Sequence, residues 1–143
     1  MRTSFVRLTL CALLLALATA PAAMATGPFS LKGTWQAVAD ADQSQTLFNF
    51  HRGGTLTASS SSAAFSAGQG AWKRVGLRDY VARNTAFIYD ANGAAEFIVI
   101  VDFELEVNGD TFTAVFTSTV TLLDGTVIDV QTGTGSGVRI GLH

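Results

Sequence analysis

From Ser30 onward the sequence predicts an all-β protein of about eight antiparallel strands in up-and-down order, closing into a barrel. Three observations lead there. Apolar and polar residues alternate at every second position, Gly, Asn and Asp punctuate the chain at hairpin spacing, and no segment carries a helical period. Eight strands joined in sequence can close on themselves, which removes exposed edges and encloses room for packed side chains or one small ligand.

The first element is not a strand. Arg2 and Arg7 precede an apolar run, Leu8 to Ala18, and small residues follow to Ala23-Met24-Ala25. This is the three-part pattern of a signal peptide, residues 1–25, with cleavage after Ala25. A run of about 11 apolar residues is too short for a helix that needs about 20 to cross a bilayer, so no stable membrane insertion is expected after cleavage. Leu10, before the single cysteine Cys11, is not the small residue that lipid attachment requires. Loss of the leader removes Cys11 and leaves about 118 of the 143 residues as one domain, 26–143, stable through its core without disulfide or metal. Without Arg2 and Arg7 the net charge moves from −2 to about −4, a poor match to nucleic acid, whose phosphates call for a basic face.

Within the domain the strands are expected at residues 31–38, 47–51, 55–58, 69–75, 79–89, 95–107, 111–122 and 126–140. The clearest is 95–107. Phe97, Val99, Val101, Phe103, Leu105 and Val107 take its buried face, and Glu96, Asp102, Glu104 and Glu106 take the wet one. Its partner, 111–122, turns Phe112, Ala114, Phe116, Ser118, Val120 and Leu122 inward and a column of threonines outward, after a tight turn at Asn108-Gly109. Asp124-Gly125 opens the last strand, in which Gly133, Gly135 and Gly137 read as bends that let it curve back to the first. In strand 79–89 the better apolar face carries Val81, Thr85, Phe87 and Tyr89, and Arg83 falls on that face. The serine-rich stretch 58–68 reads as a long flexible loop. In a meander it shares one end with the turns at 40–44, 90–93 and 124–125, so any open mouth belongs there.

Gly33-Thr34-Trp35 on the first strand and Gly137-Val138-Arg139 near the end of the last resemble the motifs of the lipocalins, or more broadly of the calycin group of ligand-binding barrels. The resemblance implies that Arg139 packs over Trp35 as a structural plug at one end of the barrel. A second resemblance, to barrel cyclases of the allene oxide cyclase type, rests on architecture alone.

Chemistry is sparse. His51 stands beside a Gly-Gly turn without metal-ligand partners, His143 is the terminal residue, and no serine sits in a nucleophile pattern, so no catalytic residue, metal site or cofactor is assigned. Lys73, Arg74, Arg78 and Arg83 cluster, and Arg83, if it faces inward, offers an anchor for a ligand carboxylate. The candidate cavity is therefore lined by Arg83, Phe87, Tyr89, Phe97, Val99, Val101, Phe103, Phe112 and Phe116, with a small apolar molecule as the expected partner. A cofactor-free cyclase or isomerase and a filled-core interaction protein are the alternatives. The pattern leaves the oligomeric state open.

Overall fold

The computed structural model describes residues 27–141; the expected leader, Cys11 and His143 lie outside them. Eight antiparallel strands follow in sequence: β1 Gly33–Ala39, β2 Gln45–Phe50, β3 Thr55–Ser60, β4 Gly68–Arg74, β5 Asp79–Tyr89, β6 Ala95–Asn108, β7 Thr111–Leu122 and β8 Val127–Arg139. Each pairs with the next, and β8 returns to β1, so the sheet is a closed barrel. Fold class and strand order are as the alternation pattern predicts.

Turn chemistry fixes the connections. Gly109 and Gly125 both adopt the positive φ that tight hairpins require, at 63° and 91°. The strands are unequal. β1 to β4 run six or seven residues and β5 to β8 run 11 to 14, so one wall stands higher than the other. β1 meets β8 only from Trp35 opposite Arg139 to Ala39 opposite Gly135, and the β7–β8 hairpin projects above that seam.

Closure depends on the column Gly133, Gly135, Gly137. A Cβ on Gly133 or Gly137 would run into the ring of Phe116 or Phe112, and one on Gly135 into the backbone of Val38. The glycines therefore do more than bend β8. They let it lie close against β1 while two phenylalanine rings cross its inner surface.

The end of the barrel where β1 begins is packed shut. Leu31, Trp35, Leu56 and Val107 are fully buried there. Aromatic contacts run from Trp35–Phe112 (ring centroids 5.2 Å apart) through Phe50–Trp72 (6.1 Å) to Trp72–Tyr80 (5.7 Å), spacings at which such rings attract beyond simple burial. The lead-in 27–32 crosses beneath. Tyr80 Oη donates to the Phe29 carbonyl (2.6 Å), Gly109 N to that of Pro28 (2.7 Å) and Trp35 Nε1 to that of Leu31 (2.8 Å). Arg139 locks this end. Its guanidinium lies 4.2 Å from the Trp35 ring centroid, donates to the carbonyls of Lys32 and Ser30, and pairs with Asp110 at 2.9 Å.

A lysine at position 139 keeps the charge but loses the planar fork that serves all these partners at once. Arg139→Lys should lower unfolding stability by about 2 kcal/mol. Urea titration, read as a lower midpoint at unchanged slope, checks it, and an unchanged midpoint would mean that the plug contributes nothing.

Candidate functional site

The other half of the barrel is open because its inner residues are small. Ala37, Ala58, Gly68, Ala86, Ala114 and Gly135 face inward at levels where the closed end has rings, and the space left is a cavity of about 430 Å³. Val99, Val101, Phe103, Phe112 and Phe116 line it with Phe48 and Phe50, so most of its wall is apolar. It opens between the turns at 40–44 and 61–67, at the end where the strand order places the serine-rich loop. Asp42, Ser44, Thr46, Ser60, Ser62, Ser66 and Ser118 supply hydroxyls and one carboxylate toward that mouth.

The serine loop is tied down rather than free. Ser66 N donates to the Phe87 carbonyl (2.9 Å), Phe87 N to Ser66 Oγ (2.9 Å) and Tyr89 N to the Ala64 carbonyl (2.8 Å). Phe65 bridges to Ile88 and turns its ring to the cavity. This lacing extends the β4 edge along β5 within the stretch expected as a long loop.

Of the nine residues expected to line the interior, Val99, Val101, Phe103, Phe112 and Phe116 do so. Phe97 is half-buried on the same strand and lies outside the lining. Arg83, Phe87 and Tyr89 are corrections. β5 turns Tyr80, Ala82, Asn84 and Ala86 inward and puts Arg83 and Phe87 on the outside, with Tyr89 half-buried beyond the cavity wall. A bulge sits at the end of this strand pair. Tyr89 pairs with Ala95, but Ile88 pairs with Phe97, so Glu96 is an extra residue on β6. Continued without it, that pairing sets Arg83 opposite inward Val101; with it, Arg83 falls opposite outward Asp102. The two side chains then pair bidentately at 2.6 and 2.9 Å, and this contact is what raises the guanidinium pKa. Arg83 is thus engaged outside and offers the cavity nothing.

Asn84 is the residue that the alternation pattern passed over. It is 8% exposed, lines the cavity, and its Oδ1 has no hydrogen-bond partner. A buried amide oxygen left unpaired costs about 1–3 kcal/mol. Gly68 makes room for it, since a Cβ there would collide with both tips of the carboxamide. A polar residue among apolar neighbours on one strand face was the available signal, but it could be used only once β5 was assigned the correct face.

Charge is divided between the two ends. Asp40, Asp42, Asp90, Glu96, Asp124 and Asp129 stand around the mouth, whereas Lys32, Arg52, Lys73, Arg74, Arg78 and Arg139 outnumber Asp79, Glu106 and Asp110 toward the closed end. Among the described residues no Lys, Arg or His lines the cavity. The basic cluster seen in the sequence is committed locally. Arg74 donates to the carbonyls of Gly76 and Leu77, and Arg78 pairs with Glu106 at 3.2 Å. Glu104 and Glu106 lie outside as the pattern predicts, and His51 is an exposed turn residue within 3.4 Å of Thr57 Oγ1. Among the described residues no three His, Cys, Asp or Glu side chains gather into a possible metal site.

Three mouth acids cap their own turns. Asp42 accepts from Ser44 N, Asp90 from Asn92 N and Ala94 N, and Asp124 from Thr126 N, at 2.8 to 2.9 Å. These backbone donors hold the three carboxyls below their ordinary pKa. A pKa depressed on folding stabilises the fold at neutral pH, and that contribution disappears as pH falls through the carboxylate range. Acidification should therefore loosen the mouth first. Hydrogen exchange at Ser44, Asn92, Ala94 and Thr126, corrected for intrinsic rates, should accelerate between neutral pH and about pH 3 more than at Gly109, which donates to a backbone carbonyl. Equal acceleration at both ends would contradict this.

Comparison with family models, curated proteins and solved structures returns no match to this chain.

Proposed function

We propose that the protein is an exported, lipocalin-like barrel that holds a small apolar molecule in the open half of its interior. The observation that carries this reading is the division of the barrel. A folding core alone gains by filling its volume, yet here small side chains maintain about 430 Å³ of mostly apolar space beside a tightly packed aromatic end. That size and lining suit a small-molecule site. The stacking of Arg139 on Trp35 supports the lipocalin-like reading, and the leader pattern of residues 1–25 supports export.

The decisive variant fills the space without touching the plug. Ala86→Phe places a ring inside the cavity, whereas Arg83→Ala removes a side chain that points away from it. Titration with the neutral fluorophore Nile red should show affinity reduced at least about tenfold by Ala86→Phe and unchanged by Arg83→Ala. Native mass spectrometry of gently purified protein should show a co-purifying small molecule that Ala86→Phe loses. Equal Nile red binding by the two variants would place the probe elsewhere and remove the support for a cavity ligand. For export, an N-terminus beginning at Thr26 in protein recovered outside the cytoplasm is the expected result.

A further inference from the structure

Taking the ligand-binding reading as its basis, we infer that the occupant is an uncharged molecule with a single hydroxyl, held at Asn84 with the rest of its surface apolar. Two independent observations converge on this chemistry. The first is the unpaired, buried Oδ1 of Asn84 in a wall otherwise made there of Ala86, Val99 and Val101. A hydroxyl both donates and accepts, so it serves either tip of a carboxamide. Rotation about χ2, a broad two-fold torsion, brings either tip to the cavity. Gly68, bare of a side chain, holds the space in which the amide sits.

The second observation is electrostatic. An acid such as a fatty acid would enter past Asp40, Asp42, Asp90, Glu96, Asp124 and Asp129 and find no cation within, since among the described residues none lines the cavity. An isolated carboxylate carried into apolar surroundings is strongly disfavoured without a partner. Arg83, the one cation on the strand that carries Asn84, is held outside by Asp102. A cationic head is disfavoured for a different reason. Five of the six mouth acids accept a bond within the protein, Asp40 from Thr134 Oγ1 (2.6 Å), Asp129 from Gln131 Nε2 (2.8 Å), and Asp42, Asp90 and Asp124 from their turns. In the cavity wall Asp42 at the rim is the one acid among the described residues, so an ammonium carried down to Asn84 has no carboxylate beside it. Among the buried side-chain polar atoms of the described residues, the one left without a partner is Asn84 Oδ1, which lies inside the barrel and is neutral.

Displacement of Nile red from the purified protein by four compounds of equal chain length, decanol, decanoate, decylammonium and decane, tests the inference. Decanol should compete at free concentrations at least about tenfold lower than the other three. Asn84→Leu, close in size and apolar, should bring decanol level with decane, with each competition read against that variant's own Nile red affinity. The wild-type ranking needs no variant, so the test stands even if Asn84→Leu folds poorly. Decanoate or decylammonium matching decanol, or a decanol preference that survives in a folded Asn84→Leu, would overturn the assignment while leaving a binding barrel intact. Failure of Nile red and all four compounds to bind would overturn the cavity reading and this inference together.

Discussion

The return of β8 to β1 is the contact on which everything else in this structure rests. Without it the eight strands form an open sheet whose inner apolar face has nothing to pack against and whose two edges are bare. The seam is only five residue pairs long, and it is secured from both sides. Above Arg139 the glycine column lets two backbones approach while Phe112 and Phe116 cover the gap. At its foot the Arg139 guanidinium fastens β8 to Trp35, to the lead-in at Ser30 and Lys32, and to Asp110 in the turn before β7. Packing and charge thus act at one place, and they act on the shortest stretch of pairing among the long strands.

Closure at one end leaves the other free to differ. Rings fill the lower barrel because strands converge there on Trp35, Phe50, Trp72 and Tyr80. The upper barrel receives alanine, glycine and serine from the same strands and stays hollow. The charges follow the same axis, with guanidinium groups used to bind carbonyls around the plug and carboxylates used to cap turns around the mouth. Asp42, Asp90 and Asp124 meet backbone N–H groups at their turns and Arg74 and Arg139 meet backbone C=O groups, so part of the polarity of the barrel grows out of local hydrogen bonding.

Most of the frame was legible in the sequence because it is written in period two. The inner faces of β6 and β7, the Asn108-Gly109 and Asp124-Gly125 turns, and the pairing of Trp35 with Arg139 all follow from alternation, turn chemistry and a motif resemblance. The face of β5 did not follow. Both of its faces carry apolar residues, and the larger ones, Phe87 and Tyr89, suggested the wrong side for burial. The register that sets Arg83 opposite Asp102 runs from a bulge at Glu96, a single unpaired residue of β6. With Arg83 read inward, Asn84 falls on the opposite face, and the one buried amide of the cavity wall goes unremarked. An opposite charge across the strand pair, Asp102, was the clue that could have restored the register.

A hollow made from missing methyl groups has a further property. Ala58, Ala86 and Ala114 lie outside the seam, the plug and the turns, whereas Ala37 pairs with Gly137 within the seam. Each added carbon at those sites reshapes the interior by a few tens of cubic ångströms (roughly the volume of one methylene), which is a small step compared with the whole space. A handful of conservative substitutions can therefore remould the hollow while the vessel around it stays the same.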